Sequence, residues 1–104
     1  MNFSQKRTAI YDLASIQAAL NSTPTLRMTV QARRGAVALG FSDRDIVEVV
    51  QSLRKVDFYK SMTSHADHRV WQGVYHFKYS EELMLYLKFT LDEEGHIVLS
   101  FKQK

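Results

Sequence analysis

Cysteine is absent from this chain, and it has only one proline and four glycines. Without cysteine, disulfides, thiolate nucleophiles and cysteine-based zinc sites are excluded. The four glycines are scattered, so none of them forms a glycine-rich phosphate loop. No run of about 20 apolar residues is available to span a membrane, and the first residues lack the apolar segment of a secretion signal. We therefore expect a cytoplasmic protein that uses no thiol chemistry.

The length and the charge of the chain indicate how many domains it has and what kind of partner it binds. Its 104 residues, 45% of them hydrophobic, suffice for one core, so we expect a single domain over residues 1–104. The net charge is +3, and five of the eleven acidic residues fall in two predicted turns, at 81–82 and 92–94. The strands beside these turns are left basic. A basic surface favours a polyanionic partner such as a nucleic acid.

Helical signals dominate the first half of the chain. Cap residues and apolar spacing predict helices over 12–21, 30–39 and 42–53, begun by Asp12, Thr29 and Ser42. Gly40 is suited to end the second helix in a left-handed conformation. The segment 25–29 also fits an edge strand, since it follows Pro24 and contains strand formers.

From residue 56 onward the hydrophobic period changes to two, which predicts strands over 56–62, 70–79, 83–91 and 96–103. Odd positions of the last two strands are apolar and must face the helices, so even positions must face away. The predicted fold is α+β, with N-terminal helices packed on one face of a mostly antiparallel sheet. The opposite face gathers the polar side chains of Gln72, His76, Lys78, Tyr86, Lys88 and Lys102.

Turn chemistry predicts the register of the two C-terminal hairpins. A three-residue loop at 93–95, with Gly95 in a left-handed conformation, pairs Asp92 with His96 and sets Tyr86 opposite Lys102. In the preceding hairpin, a loop at 80–82 would set His76 opposite Tyr86. A longer loop would instead bring Gln72 closer to Tyr86.

The pairing of Tyr86 with Lys102, near Gln72 and Lys60, suits single-stranded RNA. A phenol ring stacks on a base while ammonium groups contact the flanking phosphates. The same residue types are also common on an ordinary solvated sheet face. His65, Asp67 and His68 form an HxDH cluster, but its spacing fits no helix face and it holds one carboxylate. We predict neither a metal nor a cofactor.

Several segments carry a resemblance to a known family: DFYKSMT at 57–63, DH at 67–68, VWQGVY at 70–75, YLKFT at 86–90 and VLSFKQK at 98–104. The chain resembles the motility quorum-sensing regulator (MqsR-like) toxins. This resemblance implies a RelE-like fold, metal-independent cleavage of mRNA, and an antitoxin partner that carries a zinc domain and a helix-turn-helix domain. It implies catalytic roles for Lys60, Gln72, Tyr86 and Lys102. The chain departs from the family at 8–10 and between 78 and 84, which bears on the antitoxin contact and the cleavage sequence.

The resulting hypothesis is a sequence-selective mRNA endoribonuclease in which the RNA 2′-hydroxyl attacks the adjacent phosphate. The catalytic residues are those matched above, and further contacts to single-stranded mRNA are assigned to Arg69, His76, Lys78 and Lys88. One alternative is a non-catalytic module that binds RNA or the antitoxin through the same face. Another is a plain interaction protein that uses an exposed strand edge.

Overall fold

The computed structural model describes residues 5–64, 67 and 69–104. Within them, three helices lie in the N-terminal half: α1 (Leu13–Ala19), α2 (Val30–Ala38) and α3 (Asp43–Ser52). One sheet contains β1 (Gln5–Lys6), β2 (Phe58–Thr63), β3 (Trp71–Ser80), β4 (Leu83–Leu91) and β5 (Ile97–Gln103). The strands follow chain order, and each is antiparallel to its neighbour. The predicted α+β fold is confirmed.

Side-chain caps begin each helix, at the residues that the sequence predicts. The Asp12 carboxylate accepts a hydrogen bond from the Ser15 amide at 3.1 Å, and the Thr29 hydroxyl accepts one from the Ala32 amide at 3.1 Å. Ser42 and Asp45 cap each other's amides at the start of α3. Each cap satisfies an amide that has no partner within the helix. The helices end one or two residues before the predicted positions, and Gly40, at φ +80°, follows α2 as expected.

The core lies between the helices and one face of the sheet. Ile16, Leu20, Ile46 and Val50 of the helical layer are fully buried, and the sheet contributes Tyr75, Leu85, Leu87, Phe89 and Leu99. These sheet residues are odd-numbered, as the parity argument predicts. Each such side chain contributes about 1.5–3 kcal/mol when it leaves water, so burial of these residues strongly determines which face of the sheet packs against the helices. The opposite face of the sheet, defined here as the open face, is left for polar residues.

The first long strand differs from its prediction. Its expected beginning at residue 56 is wrong, because Lys55–Asp57 forms a 3₁₀ helix in which the Asp57 carboxylate accepts from the Arg54 amide at 2.8 Å. Strand β2 then contains a bulge between Phe58 and Lys60. An extra residue in one strand reverses the alternation of side chains beyond it. Phe58 therefore packs towards the helices beside Tyr75, while Lys60 pairs with Val74 and lies on the open face.

Segment 25–29 joins the sheet through a single bridge. Thr23–Thr25 forms a 3₁₀ helix, and Met28 then pairs in parallel with Leu99. The Thr29 amide donates to the Leu99 carbonyl at 3.0 Å, and the Leu99 amide donates to the Arg27 carbonyl at 2.8 Å. A longer edge strand does not form, because α2 begins directly after Thr29.

Strand β1 is absent from the sequence predictions. It pairs with β2, so that Gln5 opposes Met62 and Lys6 opposes Ser61. Buried Ser61 fixes the segment after β1, because its hydroxyl donates to the Thr8 carbonyl at 2.9 Å and accepts from the Ile10 amide at 3.1 Å.

Every helix in the described ranges is too short, or insufficiently apolar, to traverse a membrane.

The register of the last hairpin is confirmed, and the hairpin before it has the pairing of the first of the two predicted alternatives. The Asp92 amide donates to the His96 carbonyl at 2.9 Å, Gly95 has φ +84°, and Tyr86 pairs with Lys102. The β3–β4 turn has two residues rather than three, because Ser80 pairs with Leu83. A compensating irregularity between residues 78 and 80 restores the predicted pairing of His76 with Tyr86.

Candidate active site

Three aromatic rings form a row on the open face. The Tyr59 and His76 rings stack with centres 4.3 Å apart, and the His76 and Tyr86 ring centres are 5.3 Å apart. Lys102 continues the row, with its Nζ 5.7 Å from the centre of the Tyr86 ring. Three of these residues lie here because β3, β4 and β5 pair His76, Tyr86 and Lys102 side by side. We call Tyr59, His76 and Tyr86 the ring row.

Tyr59 is a candidate site residue that sequence reasoning missed. It occupies the bulge of β2, and its side chain is about half exposed beside His76. Regular alternation from the start of β2 would have set it on the face opposite Lys60. The only sequence signal was its position next to Lys60 in the DFYKSMT segment, since the bulge depends on pairing with β3.

Lys60 and Lys88 form a second, cationic row beside the rings. Val74 of β3 pairs with Lys60 of β2 on one side and with Lys88 of β4 on the other. Val74 is fully buried, and the apolar stems of the flanking lysines are placed to cover it. The Lys60 Nζ lies 5.1 Å from the centre of the Tyr59 ring. No ion pair within the described residues involves Lys60, Lys88 or Lys102, so these positive charges are available to an anion.

Gln72 lies on the same face but further along β3. It pairs with Met62 and is half-buried. His76, the partner of Tyr86, is four residues away, which corresponds to about 14 Å along a strand. Gln72 is therefore not a direct neighbour of Tyr86, and Lys60 and Lys88 lie at the level between them.

Two other predicted RNA contacts form ion pairs with acidic side chains. Lys78 lies near the β3–β4 turn, where its Nζ is 3.2 Å from the Glu81 carboxylate. Arg69 precedes β3, and its Nε is 3.1 Å from the Asp67 carboxylate. Lys88 and His76, by contrast, lie within the cluster. All four remain predictions as contacts to RNA.

Burial and neighbouring charges shift the pKa values of His76 and Tyr86 in the direction that favours their neutral forms. Burial lowers the pKa of His76, and the positive charges of Lys104 and Lys60 lower it further. Burial raises the pKa of Tyr86, with a smaller contribution from Tyr59. Within the described residues, the buried Nε2 of His76 has no hydrogen-bond partner. His76 and Tyr86 therefore offer uncharged rings near ammonium groups that form no ion pair among the described residues, and the Tyr86 phenol retains its proton.

The predicted absence of a metal remains a prediction. In the HxDH cluster, His65 and His68 lie outside the described residues, and Asp67 binds Arg69. In the part of the chain that is described, Asp92, Glu94 and His96 form the grouping whose atoms are close enough to share an ion. It is exposed in the β4–β5 turn, six residues and about 20 Å along β4 from Tyr86.

The fold and this face define an α+β protein with an open, cationic and aromatic sheet surface, of the kind that accommodates single-stranded nucleic acids. The family model described as motility quorum-sensing regulator, toxin of MqsA, matches residues 8–103. The mRNA interferase toxin MqsR of Escherichia coli (strain K12) is 34% identical over 100 residues, covering 96% of this chain and 99% of the relative. The chain belongs to this MqsR toxin family.

Proposed function

We propose that this protein is the toxin of a toxin–antitoxin pair and acts as an mRNA endoribonuclease. The observation that carries the proposal is the cluster of lysines around the ring row, which form no ion pair within the described part of the chain, in a member of the MqsR family. Lys60, Tyr86 and Lys102 belong to this cluster, and Gln72 lies further along the same face. They were matched to the family's functional positions on sequence alone. Their types suit a substrate whose charge lies on phosphates and whose bases stack.

The proposed reaction uses the RNA itself as the nucleophile. A base removes the proton from a 2′-hydroxyl, whose oxygen bonds to the adjacent phosphorus while the bond from phosphorus to the 5′-oxygen breaks. The departing oxygen takes up a proton, and the products are a 2′,3′-cyclic phosphate and a 5′-hydroxyl. One of Lys60 and Lys102 stabilises the phosphorane and the other acts as base, while Gln72 orients a base or a phosphate oxygen. Tyr86 stacks on a base or assists proton transfer, a role suited to its neutral phenol.

Cleavage of a long single-stranded RNA tests this proposal. We expect cleavage by the purified protein to survive a chelator and to leave cyclic phosphate ends. Lys60→Ala should abolish most cleavage while keeping the parental circular dichroism spectrum. Arg44→Ala, which removes one exposed positive charge from α3, is the matched control and should cleave normally. Complete loss of cleavage in chelator would contradict the metal-independent mechanism, whereas RNA binding without product would favour the non-catalytic module.

The partner is proposed to be an antitoxin with a zinc domain and a helix-turn-helix domain. The support is membership of a family whose description names an antitoxin partner, together with the resemblance described above. Because mRNA is the substrate, the proposed location is the cytoplasm. Induction of the toxin should arrest growth, and coexpression of the adjacent reading frame should relieve the arrest. Arrest that this frame fails to relieve would contradict the pairing.

A further inference from the structure

A cleft of about 260 Å³ opens at the edge of the sheet where β1 pairs with β2. Its lining consists of Gln5, Lys6, Arg7, Tyr59 and Lys60. We call it the edge cleft. Lys6 and Arg7 have no part in the mechanism proposed above, and both are exposed.

Positive charge in the edge cleft lacks an anionic partner. Across the described ranges, no acidic side chain forms an ion pair with Lys6, Arg7 or Lys60. Lys6 opposes Ser61, and its Nζ lies 4.7 Å from the centre of the Trp71 ring, so its ammonium group is directed to the helix side of the sheet. Arg7 and Lys60 remain as cations of the edge cleft, and two cations beside one polar cleft favour a ligand with a phosphate group.

The edge cleft is continuous with the open face. Tyr59 and Lys60 line the cleft, and Tyr59 is also the first member of the ring row. At the other end of the row, Tyr86, Lys88 and Lys102 line a groove of about 300 Å³ whose far wall includes Gln31 of α2. Cleft, rings and groove therefore follow one another across the strands, from β1 to β5.

We propose that RNA crosses the sheet perpendicular to its strands, and that the edge cleft binds a nucleotide beside the cleaved step. This inference rests on the proposed function for the identity of the ligand. Arg7 contacts the phosphate of that nucleotide, and the Tyr59 ring packs against its base. The path from β1 to β5 covers four strand spacings, or about 19 Å. At about 3.4 Å for each stacked nucleotide, this path accommodates about six nucleotides.

Uncleavable RNA separates binding in the cleft from catalysis. The probes are fluorescein-labelled 2′-O-methyl oligonucleotides of mixed sequence and of two to ten nucleotides, with affinity measured by fluorescence anisotropy. The parental affinity should rise with length up to about six nucleotides and then level off. An affinity that is already complete at two or three nucleotides would overturn the proposed path.

Three variants test the cleft itself. Tyr59→Ala should weaken binding of the longer probes about tenfold, whereas Tyr59→Phe, which keeps the ring, should bind like the parent. Arg7→Ala should reduce the slope of log affinity against log salt by about 0.7, because one phosphate contact to a single strand is lost. Arg44→Ala is the charge control for each of these comparisons and should keep the parental slope.

A cleavage assay with natural RNA completes the test. Arg7→Ala should raise KM while kcat stays within about threefold of the parent, since Arg7 does not contact the reacting atoms. Parental affinity and salt slope in both Arg7→Ala and Tyr59→Ala would overturn the edge cleft and leave the proposed function standing. A parent that neither binds nor cleaves RNA would instead refute the proposed function.

Discussion

The salt dependence of RNA binding provides a quantitative test of the open face, and Lys88→Ala is the most informative perturbation. Lys88 lies between Val74 and Ser100, without an ion pair among the described residues and outside the proposed catalytic group. Five cations of the open face and the edge cleft form no ion pair among the described residues: Arg7, Lys60, Lys88, Lys102 and Lys104. With about 0.7 for each phosphate neutralised on a single strand, the parental slope of log affinity against log salt is about −3.5.

This slope predicts that affinity falls about 100-fold between 50 and 200 mM salt. Lys88→Ala should change the slope to about −2.8, so the variant differs more from the parent at low salt than at high salt. The assay is anisotropy of a labelled 2′-O-methyl octanucleotide at five or more salt concentrations. Thermal melts verify that the variant is folded.

Arg44→Ala provides the decisive comparison, because it changes the net charge by the same amount on the helical layer. A charge about 10 Å or more from the bound RNA is largely screened at these salt concentrations, so the parental slope should persist. Equal changes of slope in the Lys88 and Arg44 variants would refute the reasoning. Binding would then depend on the net charge of +3 rather than on a defined face.

Three further predictions concern catalysis, pH and stability. Tyr86→Ala should lower kcat by at least about 100-fold while the fold is retained, and a loss below about tenfold would contradict a catalytic role. Because the pKa of His76 is lowered from its ordinary value near 6.5, the unfolded chain gains its proton first as pH falls. Stability should therefore decline as pH drops through about 6.5, and His76→Phe should flatten that decline in urea titrations at pH 5–8. Ser61→Ala removes a partner from the Thr8 carbonyl and from the Ile10 amide, so it should cost about 1–3 kcal/mol in urea unfolding, with faster hydrogen exchange at Ile10.

The register of the β4–β5 hairpin illustrates what local sequence signals can predict. Gly95 specified a left-handed turn, which fixed Asp92 opposite His96 and, by counting along the strands, Tyr86 opposite Lys102. The helix caps followed equally directly from Asp12, Thr29 and Ser42. These features depend on a few neighbouring residues, so the sequence alone sufficed to predict them.

The N-terminal edge of the sheet could not be predicted from local sequence signals. Strand β1 has two residues, and hydrogen bonds to Ser61 hold the segment that follows it. A two-residue strand carries no periodicity to detect. The edge cleft could not be predicted either. Lys6 and Arg7 line it together with Tyr59 and Lys60, which lie more than 50 positions later in the chain.

The sequence by itself determined the α+β class, the capped helices, the register of the β4–β5 hairpin and the even-numbered residues that point away from the core. Only the tertiary structure decided on which face Phe58, Tyr59 and Lys60 lie. The bulge in β2 arises from pairing with β3, and it reverses the alternation that holds along a regular strand. That one additional residue sets Lys60 on the open face, aligns Tyr59 with His76, and joins the edge cleft to the ring row.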